Sequence, residues 1–121
     1  MSPLNPATPA PAHPVLVLVR DLIFSSRISV TARDVGAVVK LLRDPAALAA
    51  QEGSRLIVDL NQADALDAAI EWKKHTGGEV IGFVAHVDAE TIRRARDAGI
   101  DRVLPRSRFV VELESLLRGE A

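Results

Sequence analysis

Apolar residues occur in five short runs along the chain, and helical patterns separate these runs. The first run, Val15 to Val19, holds only valine and leucine. A continuous apolar run of this kind predicts a strand that is covered on both faces, as in a parallel sheet. The other four predicted strands cover residues 37–42, 54–59, 79–85 and 102–104.

In the helical patterns, apolar residues lie three or four positions apart. Ile28, Ala32 and Val35 fall on one face of a helix that Ser25 or Ser26 can cap. The glycine that follows is a suitable end for this helix. The other predicted helices cover residues 45–50, 64–75, 89–98 and 109–117.

Trp72 is the single tryptophan and falls in the predicted helix 64–75. It lies off the inward face of that helix, which Leu66, Ala69 and Ile70 form. An exposed tryptophan often anchors a protein partner. The alternative is a ring that packs against the edge of its own helix.

Five strands that alternate with five helices predict an open parallel α/β sheet with helices on both faces. Short right-handed connections favour the flavodoxin-like (βα)5 arrangement with the strand order 2-1-3-4-5. In such a sheet the ligand site lies outside the carboxyl ends of the central strands. The residues that this rule brings together are Arg20, Asp21, Asp59, Ala85, His86 and Arg106.

Composition divides the chain into two parts. Residues 1–14 are rich in proline and alanine, which predicts a disordered tail that prefers extended polyproline conformations. Such a tail is either a plain tether or a ligand for a proline-binding groove. Residues 15–121 are predicted to form one domain, and they leave no room for a separate output domain.

Charge and cysteine content narrow the class of protein. The 15 basic and 16 acidic side chains nearly cancel, which removes a general attraction to nucleic acid or to an anionic membrane. The chain has no cysteine, which excludes disulfides and thiolate metal sites. No apolar run approaches the roughly 20 residues of a membrane helix. These features predict a cytoplasmic protein.

Two acidic residues follow predicted strands. Asp59 ends the apolar run in Leu-Ile-Val-Asp-Leu-Asn at 56–61, and Asp21 follows the first strand. With these strand ends, residues 15–118 resemble the receiver domain of the two-component response regulators of bacteria. The segment 85–101 is similar to the fourth helix of that family and to the turn before its fifth strand. The resemblance implies that Asp59 is the phosphoryl acceptor and that Asp21 helps it to hold Mg²⁺.

Three pocket positions depart from the pattern of that family. Arg20 stands in place of the first acid, Val84 in place of the hydroxyl residue and Arg106 in place of the lysine. A cation in place of a metal ligand weakens Mg²⁺ binding, and valine cannot hydrogen-bond a phosphoryl oxygen. Arginine still pairs with a carboxylate or a phosphate, although it does so through a planar fork.

These departures favour a pseudo-receiver, a stand-alone signalling or protein-interaction domain with a degenerate phosphoacceptor pocket. Arg20, Asp21, Asp59 and Arg106 are predicted to form a charge-balanced ionic lock that needs no metal, phosphate or other cofactor. Removing one member of a buried network costs on the order of 3 to 5 kcal/mol. On this interpretation the domain is not an enzyme, and it acts by binding a kinase or a regulatory protein.

Two alternatives remain open. The first is a conventional receiver that a histidine kinase phosphorylates on Asp59, with Mg²⁺ held by Asp21 and Asp59. The second is a small α/β ligand-binding protein or hydrolase that uses Asp59 with His86, a general base at the pocket rim beside Asn61. A hydrolase is disfavoured because the chain lacks a Gly-x-Ser-x-Gly elbow.

A second candidate site is the stretch 93–108, which holds six arginines and two aspartates. Arg93, Arg94, Arg102 and Arg108 are predicted to form an interaction face for an acidic protein partner or for a second copy of the chain. Nucleic acid is disfavoured because aromatic residues are not interleaved with the arginines. The alternative is that these arginines pair with neighbouring acids at helical spacing.

Overall fold

Five parallel strands form one sheet in the order β2-β1-β3-β4-β5, which confirms the predicted order. The computed structural model describes residues 14–86 and 88–119. Leu18 of β1 lies beside Leu42 of β2 and Val58 of β3, so β1 and β3 are central strands. The strands are β1 (Val15–Leu18), β2 (Val39–Leu42), β3 (Arg55–Asp59), β4 (Glu79–Val84) and β5 (Arg102–Pro105).

The described residues form four α-helices, which are α1 (Leu22–Val35), α2 (Ala65–Thr76), α3 (Ala89–Asp97) and α4 (Arg106–Arg118). The segment Pro45–Ala50, between β2 and β3, is a 3₁₀ helix rather than an α-helix. Six residues are too few to stabilise an α-helix by its own hydrogen bonds, and short segments favour the tighter 3₁₀ form. None of the helices in the described ranges is both long and apolar enough to cross a membrane.

The N-cap of helix α1 lies four positions before Ser25, the first of the two serines predicted to cap it. Asp21 is its N-cap, because the Oδ1 atom accepts hydrogen bonds from the backbone N–H groups of Ile23 (2.9 Å) and Phe24 (3.0 Å). Ser25 is buried in the first turn, where its hydroxyl donates to the carbonyl of Leu22. The prediction of a serine cap was therefore wrong, and an acid at the end of β1 takes that role. Similarly, α4 begins three residues earlier than predicted.

The side chains of the strands alternate between two apolar layers. Under α1 and α4, strand residues such as Ile57 pack with Phe24, Phe83 and Phe109. Phe83 stacks on Phe109 with 4.7 Å between ring centroids, and Phe24 lies 5.1 Å from Phe83. The layer under α2, α3 and the 3₁₀ helix is mainly aliphatic and contains Leu16, Leu56, Val58, Val80, Val84 and Trp72. Both faces of the sheet are thus covered, as the continuous apolar runs predicted.

Trp72 belongs to the core, and only 2% of its surface is exposed. The placement of this residue off the inward face of its helix was therefore wrong. Its Nε1–H donates to the carbonyl of Gln51 at 3.1 Å, and its ring lies against Gly78. A Cβ atom at Gly78 would lie 2.3 Å from Cη2 of the indole. The missing side chain at the start of β4 therefore provides the space that the ring occupies.

Candidate functional site

The carboxyl edge of the sheet carries an open hollow of about 590 Å³. The loops after β1, β3 and β4 meet there, together with the first residue of α4. The residues that line it include Arg20, Asp21, Asp59, Asn61, His86 and Arg106, all of which were predicted from the sequence to lie in or beside a pocket. Val84 was also predicted to belong to the pocket, but it is 5% exposed and packs in the core layer under α2 and α3.

Asp59 is the last residue of β3 and is half-buried in the hollow. Its Oδ1 accepts a hydrogen bond from the backbone N–H of Asn61 at 2.9 Å. Burial raises the pKa of Asp59 above its ordinary value of 3.8, and the Asn61 bond and the charge of Arg106 only partly oppose this effect. Within the described ranges, its carboxylate is in no ion pair shorter than 4 Å. Asp59 is therefore a carboxylate that protonates more readily than usual.

Asp21 and Arg106 form the ion pair of the hollow. The Oδ2 atom of Asp21 lies 3.5 Å from Nη2 of Arg106, while Oδ1 caps α1. The pKa of Asp21 is lowered, first by the hydrogen bond from the Phe24 N–H and also by the charge of Arg106. The Arg106 guanidinium also lies 3.9 Å from the centroid of the Phe24 ring, a cation–π contact. Phe24 and Asp21 together hold the arginine in place.

Arg20 does not join this ion pair. Its backbone N–H donates to Gln62 at 3.1 Å, but its guanidinium is exposed and is in no ion pair with the residues that the structure describes. The predicted four-membered ionic lock is therefore not formed among the described residues, because neither Arg20 nor Asp59 is in an ion pair there and only Asp21 and Arg106 pair. The remaining pair is partly exposed, and water screens such pairs strongly. The positions of these four residues in the sequence could not show whether two of them form a pair or all four form a network.

Asn61 and Gln62 connect the strand ends around the hollow. The Asn61 Oδ1 atom accepts from the N–H groups of Ala85 (2.7 Å) and His86 (2.9 Å), which follow β4. The Gln62 Oε1 atom accepts from Arg20 after β1, and its Nε2 donates to the carbonyl of Arg43 after β2 at 2.9 Å. Asn61 was predicted only as a rim residue, and Gln62 was not predicted at all. We call Asn61 and Gln62 the amide brace.

The acids of the hollow do not fit the Mg²⁺ site that the fold implies. Among the residues that the structure describes, no three His, Cys, Asp or Glu side chains come together as a metal-binding group. One oxygen of Asp21 is engaged by α1 and the other faces Arg106. Arg20 adds a second positive charge to the lining, which repels a divalent cation. Asp21 and Asp59 are therefore a weak pair of ligands for Mg²⁺.

His86 lies at the rim of the hollow with an exposed side chain. Its backbone is fixed, since its N–H and its carbonyl both contact the side chain of Asn61. Burial raises the pKa of Asp59 and outweighs the opposing electrostatic effect of the nearby His86. No hydrogen bond between the two side chains is found in the described part of the chain. The geometry therefore gives His86 no partner for general-base catalysis.

The four arginines of the second predicted site are paired within the chain. Arg93 pairs with Glu90 and Asp97 along α3, and Arg94 pairs with Asp67 of α2. Arg102 and Arg108 both pair with Glu112 of α4. The exposed pairs among these contribute little to stability, but together the pairs reduce the local positive charge. The predicted basic face therefore offers much less free positive charge than its six arginines suggest.

Asp59→Asn is expected to raise the free energy of unfolding at neutral pH. Because the folded pKa of Asp59 is raised, the unfolded chain loses this proton first as pH increases. The contribution of Asp59 to stability is thus fully present below pH 3.8 and is lost as pH rises through the folded pKa. Asparagine carries no charge, and its Oδ1 atom can still accept the hydrogen bond from Asn61.

Urea unfolding of Asp59→Asn and the original protein at pH 7 and at pH 3.5 tests this expectation. The increase in the free energy of unfolding of Asp59→Asn should be present at pH 7 and should be smaller at pH 3.5. Asp34→Asn, an exposed acid on α1, is the matched control and should show no such pH-dependent gain. If Asp59→Asn instead lowered the free energy of unfolding by about 3–5 kcal/mol at pH 7, the result would support the ionic lock.

The similarity of this chain to known proteins lies in its fold. No protein-family model matches the chain, and no curated protein matches it. The chain is similar to a CheY-like response regulator receiver domain from Methanospirillum hungatei JF-1, with a TM-score of 0.74 and 12% identity over 91% of this chain and 97% of that chain. It is also similar to a response regulator from Thermotoga maritima, with a TM-score of 0.66 and 15% identity over 87% and 99%.

A third similar structure is a response regulator from Burkholderia pseudomallei with a phosphorylated aspartic acid, a calcium ion and citrate. Its TM-score is 0.67, with 14% identity over 90% of this chain and 73% of that chain. Identities this low establish the fold and not the chemistry. The strand order agrees with that fold. The chain therefore has the receiver-like fold of the response regulators.

Proposed function

We propose that this chain is a cytoplasmic signalling domain that binds a protein partner through a receiver fold without depending on phosphoryl transfer. The observation that carries the proposal is the pairing of Arg106 with Asp21 in a hollow that Arg20 also lines. In this hollow the positive charge comes from side chains of the chain itself. A resident cofactor is therefore not part of the proposal.

The chemistry of the hollow supports this proposal. Attack on a phosphoryl donor needs an ionised nucleophile and a metal that neutralises the transferring group. Burial raises the pKa of Asp59, which disfavours the ionised form, and Arg106 faces the free oxygen of Asp21. Val84 offers no hydroxyl, and its side chain lies in the core. We expect the engagement of Asp21 by Arg106 and the missing hydroxyl at Val84 to slow phosphoryl transfer to Asp59.

A domain that does not catalyse must act by association. The amide brace joins the loops after β1, β2 and β4 through hydrogen bonds within the chain. A partner such as a kinase or a regulatory protein, or a second copy of the chain, would then meet a surface that is already formed. Such pre-organisation lowers the entropy that is lost on binding.

Treatment with acetyl phosphate tests the proposal. Intact mass should show no added phosphoryl group on the full chain, with or without Mg²⁺, while circular dichroism shows that the protein is folded. Asp59→Asn is the control for modification at any other residue. A Mg²⁺-dependent gain of one phosphoryl group that is lost in Asp59→Asn would establish a conventional receiver, the substrate of a histidine kinase, and would overturn the proposal.

A further inference from the structure

A groove of about 420 Å³ lies between the 3₁₀ helix and α2. Its floor consists of Pro45, Ala46, Ala49 and Ala68, with the Trp72 ring beneath them. Glu71 and His75 stand at its rim. None of these residues lines the hollow at the carboxyl edge. The six-residue 3₁₀ helix Pro45–Ala50 forms one side of the groove.

We propose that the proline- and alanine-rich residues 1–13 of the same chain bind this groove. These residues lie outside the described part of the chain, and the disordered tail that was predicted for residues 1–14 falls almost entirely on them. The proposal gives this segment a defined site in place of a free tether. It is independent of any phosphoryl chemistry at Asp59.

The described chain begins beside the loop that follows the 3₁₀ helix. The carbonyl oxygen of Pro14 is 3.3 Å from the position that a Cβ of Gly53 would occupy, so Pro14 lies against the loop after the 3₁₀ helix. In the same loop, Gln51 accepts the hydrogen bond from the Trp72 indole. Thirteen residues in a polyproline II conformation span about 40 Å. The six-residue 3₁₀ helix beside the groove is only about 12 Å long.

The chemistry of residues 1–13 suits the groove. They contain four prolines and three alanines but no Asp, Glu, Lys or Arg. A proline-rich segment is already extended, so it loses little conformational entropy when it binds. Small apolar side chains can contact the alanine floor, while the polyproline backbone leaves its carbonyl groups free to accept hydrogen bonds. The imidazole N–H of His75 at the rim can supply one such donor.

A second hollow near Pro14 is a poorer site for the same segment. It has a volume of about 540 Å³ at the amino edge of the sheet, where Val15 forms part of its lining. Its other lining residues include Arg55 and Glu79, which pair with each other at 2.7 Å, and Arg118. A segment without charged side chains has no partner for these groups. The alanine-lined groove is therefore the better match.

Nitroxide labelling tests this proposal in the full chain. Because the protein has no cysteine, Ala10→Cys provides a single attachment site. Paramagnetic broadening in amide NMR spectra should be strongest at Ala46, Ala49 and Ala68. It should be lost when Ala49→Glu places a charge in the groove. It should persist in Ala50→Glu, a matched control in which the charge sits on a neighbouring exposed alanine outside the groove.

The outcomes are distinct. Broadening that is confined to residues next to Pro14, or that survives Ala49→Glu, would overturn the proposal. A second sample mixes two kinds of chain: one carries the nitroxide but no NMR-active isotope, and the other carries the isotope but no nitroxide. If the segment binds within its own chain, the isotope-labelled chains should show no broadening. Broadening across molecules in that mixture would assign the groove to the tail of a second copy and would overturn binding within one chain. The spectra themselves report whether each variant is folded.

Discussion

Trp72→Ala is expected to lower the free energy of unfolding by about 3–5 kcal/mol, the usual range for a buried tryptophan. The indole is 2% exposed, so alanine in its place leaves a large apolar cavity. The substitution also removes the hydrogen bond to the carbonyl of Gln51. Collapse around the cavity is limited because Gly78, which faces the ring, has no side chain to fill the space.

Urea unfolding followed by far-UV circular dichroism measures this effect without depending on tryptophan fluorescence. His75→Ala is the matched control on α2, because its side chain is exposed and the change should remain within about 0.5 kcal/mol. A loss below about 1 kcal/mol in Trp72→Ala, the size of one net hydrogen bond, would mean that the ring is not part of the core.

Phe109→Ala should have an effect of similar size, about 3–5 kcal/mol, on the opposite face of the sheet. Phe109 is fully buried and lies 4.7 Å from Phe83 and 5.9 Å from Phe24, measured between ring centroids. Its loss removes two aromatic contacts as well as the buried area. The Phe24 ring contacts the Arg106 guanidinium. The same change should therefore also make the position of Arg106 in the hollow less fixed.

Thermal and urea unfolding of Phe109→Ala and Phe109→Leu measures the effect, and leucine should recover part of the loss because it fills more of the cavity. Val111→Ala serves as the control on the same helix, since Val111 is 80% exposed. Equal losses in Phe109→Ala and Val111→Ala would contradict the packing of α4 against the aromatic layer.

Short-range patterns in the sequence were enough to predict the sheet. A continuous apolar run such as Leu56-Ile57-Val58 indicates a strand buried on both faces, and parallel strands with short right-handed connections leave few topologies. The start of α1 was harder to predict, because Asp21, three residues after the end of β1, both lines the hollow and caps the helix. Trp72 was misplaced because the space for its ring comes from Gly78, which the sequence marks only as a helix end.

The residues around the hollow were predicted better than their contacts. Strand ends identify which residues meet, since the carboxyl ends of parallel strands share one edge. Whether Arg20 reaches Asp59 or points into solvent depends on side-chain rotamers and on distances that no spacing rule contains. The bonds made by Gln62 could not be predicted for the same reason, because they join β1, β2 and β3 through tertiary contacts.

The amide brace also has a consequence for how the domain responds to acidity. Asn61 and Gln62 do not ionise at any physiological pH, so the hydrogen bonds that join the strand ends keep both donors and acceptors when pH changes. Carboxylate or imidazole side chains in the same places would break or reorient such bonds on protonation. We therefore expect the outline of this edge to stay the same as pH changes, while the charge of Asp59 in the hollow varies.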